Sequence, residues 1–155
     1  MSKVVSGSVA ALKKQARKHL NAASKAARIW WFYDFGLGLL DDAVVRAPIR
    51  YGKLRLSAWA AINSGVVVAT GTAEGGAKQT GRALGKSNRE AVLTIGFGGT
   101  NGGNLPYAKW VHEITWRKHK VGEAKFLHNA VMAAMNQALP GLGAVVQAAL
   151  KRGTD

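Results

Sequence analysis

Hydrophobic residues near the start of the chain recur at intervals of three and four. The positions that follow this spacing are Val9, Leu12, Ala16, Leu20, Ala23 and Ala27. They fall along one helix face, so we expect a helix over residues 8 to 29. A second pattern of this kind predicts a helix over residues 37 to 47, ended by Pro48. Gly36 and Gly38 weaken its first turn, so it either starts anew or continues the first helix after a kink.

The hydrophobic period changes to two after the proline. The alternating positions are Leu54, Leu56, Ala58, Ala60 and Ile62. This alternation predicts a half-buried strand. The turn-forming residues 63 to 65 then lead into a β-branched segment, 66 to 70, that suits the return strand of a hairpin. Residues 91 to 97 predict a third strand, and together these segments indicate a short antiparallel sheet.

Two glycine-rich segments lie beside these strands. Residues 71 to 90 contain five glycines and few large apolar groups, which is long and polar for a hairpin loop. We expect a mobile projection there, with a β-hairpin extension as one form, ordered by a partner. The second segment, residues 98 to 105, leads to a short helix over residues 106 to 113.

The last part of the chain returns to helical spacing. Residues 123 to 139 predict a helix that Pro140 and Gly141 break, and a further helix follows to residue 152. We therefore expect an α+β fold, with a small antiparallel β-sheet packed by N-terminal and C-terminal helices and with long glycine-rich loops. Residues 1 to 155 form a single domain in this interpretation. Its parts are the N-terminal helices (1–47), the sheet with its long loops (48–113) and the C-terminal helices (123–152).

The charge balance is strongly basic. The chain has 22 Lys and Arg against 8 Asp and Glu, for a formal net charge of +14. Nucleic acid, an acidic protein and an anionic membrane are the partners that such an excess suits. Residues 1 to 33 contain no acid, and the cations of the first helix that are candidates for anion contact are Lys13, Lys14, Arg17 and Lys18. The alternative for these four is a solvated helix face.

The sequence offers little for catalysis or membrane insertion. It has no cysteine, which excludes disulfides and thiol chemistry, and its scarce carboxylates form no acid and base pair. We therefore expect no enzyme activity and no metal or cofactor. The most apolar window, residues 29 to 40, is shorter than the roughly 20 residues that span a bilayer. We expect no membrane partner and, without a secretion signal, assembly in the cytoplasm.

Four consecutive aromatic residues stand at the end of the first helix. They are Trp30, Trp31, Phe32 and Tyr33. Neighbouring helical side chains point about 100° apart, so all four cannot face one core. They form either a subunit interface, where such residues are enriched, or an aromatic plug that joins two helices of the same subunit. Trp116 is a further interface candidate.

Three local patterns stand out in the middle and late parts of the chain. The first pattern includes Pro48, Gly52, Leu54, Leu56 and Ser57. The second includes Tyr107, Ala108, His112 and Glu113, and the third Lys125, Phe126 and Leu127. They frame residues 47 to 131, and in order and spacing they resemble the patterns of phage neck and tail-completion proteins, the family of head-tail joining and minor tail components. The chain departs from the family in having Tyr51 where threonine is usual, and in lacking the Gly-Thr that follows the second pattern.

The resemblance implies a structural protein of the virion at the head-tail junction. The subunit would form a homo-oligomeric ring of six or twelve copies beside the portal, a head-completion or stopper protein, or the tail tube, with DNA passing through its channel. Gly52 would permit the turn into the first strand, Leu54 and Leu56 would form the core face of that strand, and Phe126 and Leu127 would anchor the long helix. The alternative function is a sequence-nonspecific basic DNA-binding protein.

Overall fold

The computed structural model describes residues 9 to 49, 52 to 62, 66 to 80, 92 to 98, 108 to 115 and 121 to 152. Within them the fold is α+β, as predicted: a four-stranded antiparallel sheet packs against helices from both ends of the chain. The predicted turn at 63 to 65, the loop residues 81 to 90 and 99 to 105, and Tyr107 and Trp116 lie outside the described residues.

The N-terminal part of the chain is one continuous helical rod. It consists of α1 (Val9–Ile29), a π-helical segment (Trp30–Phe35) and α2 (Gly36–Arg46). The second of the two sequence alternatives is therefore the correct one, because the helix continues through both glycines. A β-carbon at Gly36 would lie 2.6 Å from Leu93 Cδ2. The glycine thus allows the rod and the sheet to approach closely.

The first strand begins later than predicted. Lys53–Leu56 forms a helical turn, α3, and strand β1 covers only Ala58–Ile62. The predicted core face is wrong at Leu56, which is 55% exposed, while Leu54 and Arg55 are buried. In a turn of helix, residues 54 and 56 point in different directions, so the alternation of apolar residues there does not mark one face.

The sheet has the strand order β3-β2-β1-β4. Strands β2 (Val66–Gly71) and β4 (Leu93–Phe97) both pair with β1, which confirms the predicted hairpin and third strand. Strand β3 (Ala77–Gln79) pairs antiparallel with β2. Residues 71 to 79 of the glycine-rich segment thus complete a β-hairpin with β2, which is the hairpin form that the sequence allowed.

The C-terminal part forms two helices, α4 (Ala108–Glu113) and α5 (Phe126–Lys151). The predicted break at Pro140 and Gly141 is wrong, because α5 continues through both. A proline inside a helix costs about 3 kcal/mol. Helix α5 packs along both α1 and α2, and this tertiary packing offsets the local cost.

Two hydrophobic clusters hold these elements together. The larger lies between the helical rod and one sheet face, and its buried members include Phe32, Leu40, Val44, Ala58 and Ile62. The smaller, called here the junction cluster, contains Ala47, Leu54, Ala108 and Phe126. It lies where the end of α2, the α3 turn, α4 and the start of α5 meet.

Candidate functional site

The three segments that resemble the phage family meet at the junction cluster. Leu54 comes from the first segment, Ala108 from the second and Phe126 from the third, and all three are buried there. Leu127 packs against the cluster while remaining partly exposed. Residues far apart in the sequence thus share one small core, which gives these positions a scaffolding role in the fold.

Two further residues of the first segment shape the chain around this core. Gly52 has φ +72°, a left-handed conformation that glycine adopts without the steric cost of a β-carbon, and it precedes α3 as the predicted turn requires. The Ser57 hydroxyl donates to the Leu54 carbonyl at 2.7 Å and accepts from the Gly98 N–H at 3.1 Å. Ser57 therefore ties α3 to the end of β4.

Arg55, which also belongs to the first segment, is a buried structural residue. It is 4% exposed, and its guanidinium donates to three carbonyls: Ala47 at 3.0 Å, Glu74 at 3.1 Å and Val45 at 2.7 Å. Carbonyls at a helix C-terminus lack intrahelical partners, so Arg55 caps α2 and also holds the turn before β3. Burial lowers the pKa of this guanidinium.

The second and third segments are joined through His112 and Lys125. The Lys125 N–H donates to the His112 carbonyl at 2.7 Å, and the His112 ring packs edge-on against Phe126 with the ring centroids 5.0 Å apart. His112 Nδ1 lies 2.9 Å from the Glu113 carboxylate, and this hydrogen bond lowers the pKa of Glu113. These contacts fix the start of α5 rather than assemble reactive groups.

The π-helical segment places part of the aromatic run in the core and part at the surface. Phe32 and Tyr33 are 1% and 9% exposed, so the interface interpretation is wrong for these two side chains. Trp31 packs partly against the larger cluster. Trp30 stacks on Phe35, with the ring centroids 5.4 Å apart, and remains partly exposed. Phe32 and Tyr33 thus belong to the core between the rod and the sheet, and Trp30 is the member of the run that meets the C-terminal helix, at Gly141.

Helix α1 extends beyond the helix that it packs against. The Glu123 N–H donates to the Arg46 carbonyl at 2.8 Å, and a β-carbon on Gly141 would meet the Trp30 ring, so α5 runs antiparallel to the rod. With equal rise per residue, the end of α5 at Lys151 lies near residue 20. Residues 9 to 20, called here the α1 arm, therefore project past it.

The α1 arm is exposed, basic and partly apolar. Residues 10 to 18 are all exposed, including the four predicted anion-contact candidates Lys13, Lys14, Arg17 and Lys18. Leu12 and Leu20 are 59% and 65% exposed. They continue the apolar stripe that is buried farther along α1 at Ala23. A second exposed apolar stripe, Met132, Met135 and Leu139, lies on the outer side of α5.

A groove of about 710 Å³ lies between the rod and α5. Its apolar lining includes Trp30, Phe35 and Leu39, and its carboxylates are Asp34 and Asp42. No described residue that lines it is basic, in a chain with a net charge of +14. Asp42 pairs with Arg46 at 2.8 Å, whereas Asp34 is exposed and has no ion pair among the described residues.

The described residues contain no group of three or more His, Cys, Asp or Glu side chains able to hold a metal ion. None of the helices described is both long and apolar enough to cross a membrane.

No protein-family model, curated protein or solved structure matches this chain. Among the described residues, the α1 arm and the groove, both built on the helical rod, are the candidate functional surfaces.

Proposed function

We propose that this chain is a structural virion protein of a tailed phage, a ring-forming neck or tail-completion subunit at the head-tail junction. The observation that carries the proposal is the α1 arm, an amphipathic helix that continues beyond its intrachain partner. Leu12 and Leu20 keep most of their surface exposed there. An apolar stripe exposed on a helix is a candidate interaction site, as a subunit that works in an assembly requires.

The junction cluster supports the same proposal. The resemblance to the phage family rests on three segments, and residues from all three pack together around Phe126. A sequence pattern that this chain has in common with the phage family at such core positions suggests a common fold. Contacts with partners would then lie on the surfaces around this core. In the assembled virion those partners are further copies of the chain, the portal, a stopper or head-completion protein and the tail tube. The role is structural and needs no catalytic group.

A sequence-nonspecific DNA-binding protein is the second candidate function. The observation that favours it is the row of exposed cations on the α1 arm, which have no ion pair among the described residues. Such cations attract phosphate through charge alone, without reading bases. In the virion the same cations would face DNA in the channel or an acidic neighbour.

Deletion of the gene from its phage genome tests the structural proposal. Electron microscopy of the resulting particles should show separated heads and tails, or tails of faulty length, and the wild-type gene supplied in trans should restore whole virions. Normal infectious particles after deletion would overturn the proposal. DNA binding by the isolated chain should be weak and indifferent to sequence, with about one unit of log-log salt slope for each neutralised phosphate. Preference for one sequence by about 1,000-fold would instead indicate a specific reader.

A further inference from the structure

We infer that the α1 arm of one copy docks in the groove between the rod and α5 of the next copy, head to tail. The inference rests on the proposed ring-forming function and supplies the contact that joins its subunits. A contact between two different surfaces of the same chain propagates from copy to copy, and it closes into a ring when the rotation allows. The inference thus assigns a second copy of this chain as the occupant of the groove.

The charges of the two surfaces are complementary. Residues 9 to 20 carry four cations and no acid. The described lining of the groove has no basic residue, and of its two carboxylates Asp42 is already paired with Arg46, whereas Asp34 has no ion pair among the described residues. On a helix of about 100° per residue, Lys13 and Arg17 flank the arm's apolar stripe, and Lys14 and Lys18 lie on the opposite face. Lys13 and Arg17 would then reach the Asp34 carboxylate when the stripe faces the floor of the groove.

The lengths of the two surfaces also match. The groove follows α5 from Ala130 to Gly141, which is about 17 Å of helix, and the arm is about 18 Å long. A groove between two packed helices can accept a third helix. The floor of this groove is apolar and contains Trp30, Phe35 and Leu39. Leu12, Ala16 and Leu20 on the arm offer the matching apolar stripe.

A chain without cysteine allows a direct test by disulfide formation. Ala16→Cys places a thiol on the apolar stripe of the arm, and Gly38→Cys places one in the groove, where an added β-carbon meets nothing within 4 Å. The two positions are about 33 Å apart along one rod, far beyond the roughly 4.4–6.8 Å between the Cα atoms of a disulfide. Any bridge between them therefore joins two copies.

Mild oxidation of the double variant should give a ladder of multimers on non-reducing gels, because every copy offers both thiols. Each single-cysteine variant can give only dimers. The matched control, Lys14→Cys with Gly38→Cys, carries the arm thiol on the opposite face and should give less than about a tenth of the ladder. Equal ladders from the two pairs, or none from the first at roughly millimolar protein, would overturn the inference.

Charge reversal sharpens the test in the Ala16→Cys and Gly38→Cys background. The change Lys13→Glu with Arg17→Glu should reduce the ladder at least about tenfold, and adding Asp34→Lys should restore it. The change Lys14→Glu with Lys18→Glu alters the net charge equally and should leave the ladder in place. If both pairs reduce it equally, net charge alone matters and the docking inference fails. Particle assembly after gene deletion tests the proposed function separately.

Discussion

The two ends of the helical rod carry the same amphipathic pattern in opposite surroundings. Near its C-terminal end, Leu40 and Val44 are fully buried against the sheet, whereas Leu12 and Leu20 near its N-terminal end are more than half exposed. Hydrophobic spacing thus identifies which face of a helix is apolar, but it does not identify the element that buries that face. Whether the face is buried depends on where the partner helix ends, and α5 reaches only to about residue 20 of the rod.

This difference has an energetic consequence. Burial of a large aliphatic side chain is worth about 1.5–3 kcal/mol. The buried end of the rod contributes that free energy to folding of the subunit. If the α1 arm docks on a second copy as proposed, the same free energy would contribute to association instead, so changes at the two ends should affect different measurements.

The largest effect should come from truncation in the junction cluster. Phe126 is 1% exposed and packs edge-on against Phe97, with the ring centroids 4.7 Å apart. Phe126→Ala should lower the free energy of unfolding by about 3–5 kcal/mol, since it removes buried surface and leaves a cavity. Urea unfolding of the isolated subunit measures the loss. Leu12→Ala on the arm is the control and should change stability by less than about 0.5 kcal/mol; a comparable loss there would show that the arm is covered within its own subunit.

Sequence patterns predicted the strands well and the α3 turn badly, for a physical reason. Strand β1 alternates Ala58, Ala60 and Ile62 toward the larger cluster, as a period of two requires. In α3 Arg55 is as deeply buried as Leu54, and its guanidinium donates to three backbone carbonyls. Hydrophobicity assigns an arginine to the surface. Only the tertiary arrangement shows that carbonyls converge on it.

Helix continuity was the other point that local sequence could not settle. Gly36 and Pro140 are strong local signals for a break, yet both lie inside continuous helical structure. The packing of α5 along the rod outweighs them, because propensity is a weak prior beside tertiary contacts. The candidate site shows the same limit: the cations of the arm were identified from the sequence, whereas the groove was not, because Trp30 and Gly141 meet only in the fold.

The next effect in size concerns the cap that Arg55 provides at the buried end of the rod. Arg55→Met keeps much of the side-chain volume but leaves the carbonyls of Val45, Ala47 and Glu74 without this donor. Unsatisfied buried polar groups cost about 1–3 kcal/mol, and a loss in this range is expected by urea unfolding. Arg28→Met is the control, because the partner of the Arg28 guanidinium among the described residues is Ser24, one turn earlier on the same helix. Equal stability of the two variants would contradict the role assigned to Arg55.

Two glycines of α5 test how closely the rod and α5 approach. A β-carbon at Gly141 would lie 2.4 Å from the Trp30 ring, whereas one at Gly143 would meet nothing within 4 Å. Gly141→Ala should lower the free energy of unfolding by about 1–3 kcal/mol through overpacking. The gain in helix propensity from alanine should offset only part of this loss. Gly143→Ala should stabilise it by up to about 1 kcal/mol. The unfolding temperatures of the two variants should thus shift in opposite directions. Shifts in the same direction would mean that the Trp30 ring does not lie against α5.

The smallest expected effect is a dependence on pH at the buried end of the rod. Arg46 donates to Glu123 at 3.0 Å, and this hydrogen bond, with a lesser one from Asn129, lowers the pKa of the Glu123 carboxyl. A carboxyl whose pKa is lower in the folded state stabilises the fold above its unfolded pKa of about 4.3. That contribution is lost as pH falls through the folded pKa.

Because the side chains of Arg46 and Glu123 are 34% and 41% exposed, solvent screens the pair and its contribution should be only about 0.2–1 kcal/mol. Urea unfolding between pH 6 and pH 3 should show this loss for the wild type and a flatter profile for Arg46→Met. Glu113 also has a lowered pKa, caused by His112, so the comparison is best made in a Glu113→Gln background. An unchanged slope after Arg46→Met would mean that the ion pair does not hold the segment before α5 to the rod. The pH dependence would then have to come from carboxyls elsewhere, and the buried end of the rod would depend on apolar packing and the Arg55 cap alone.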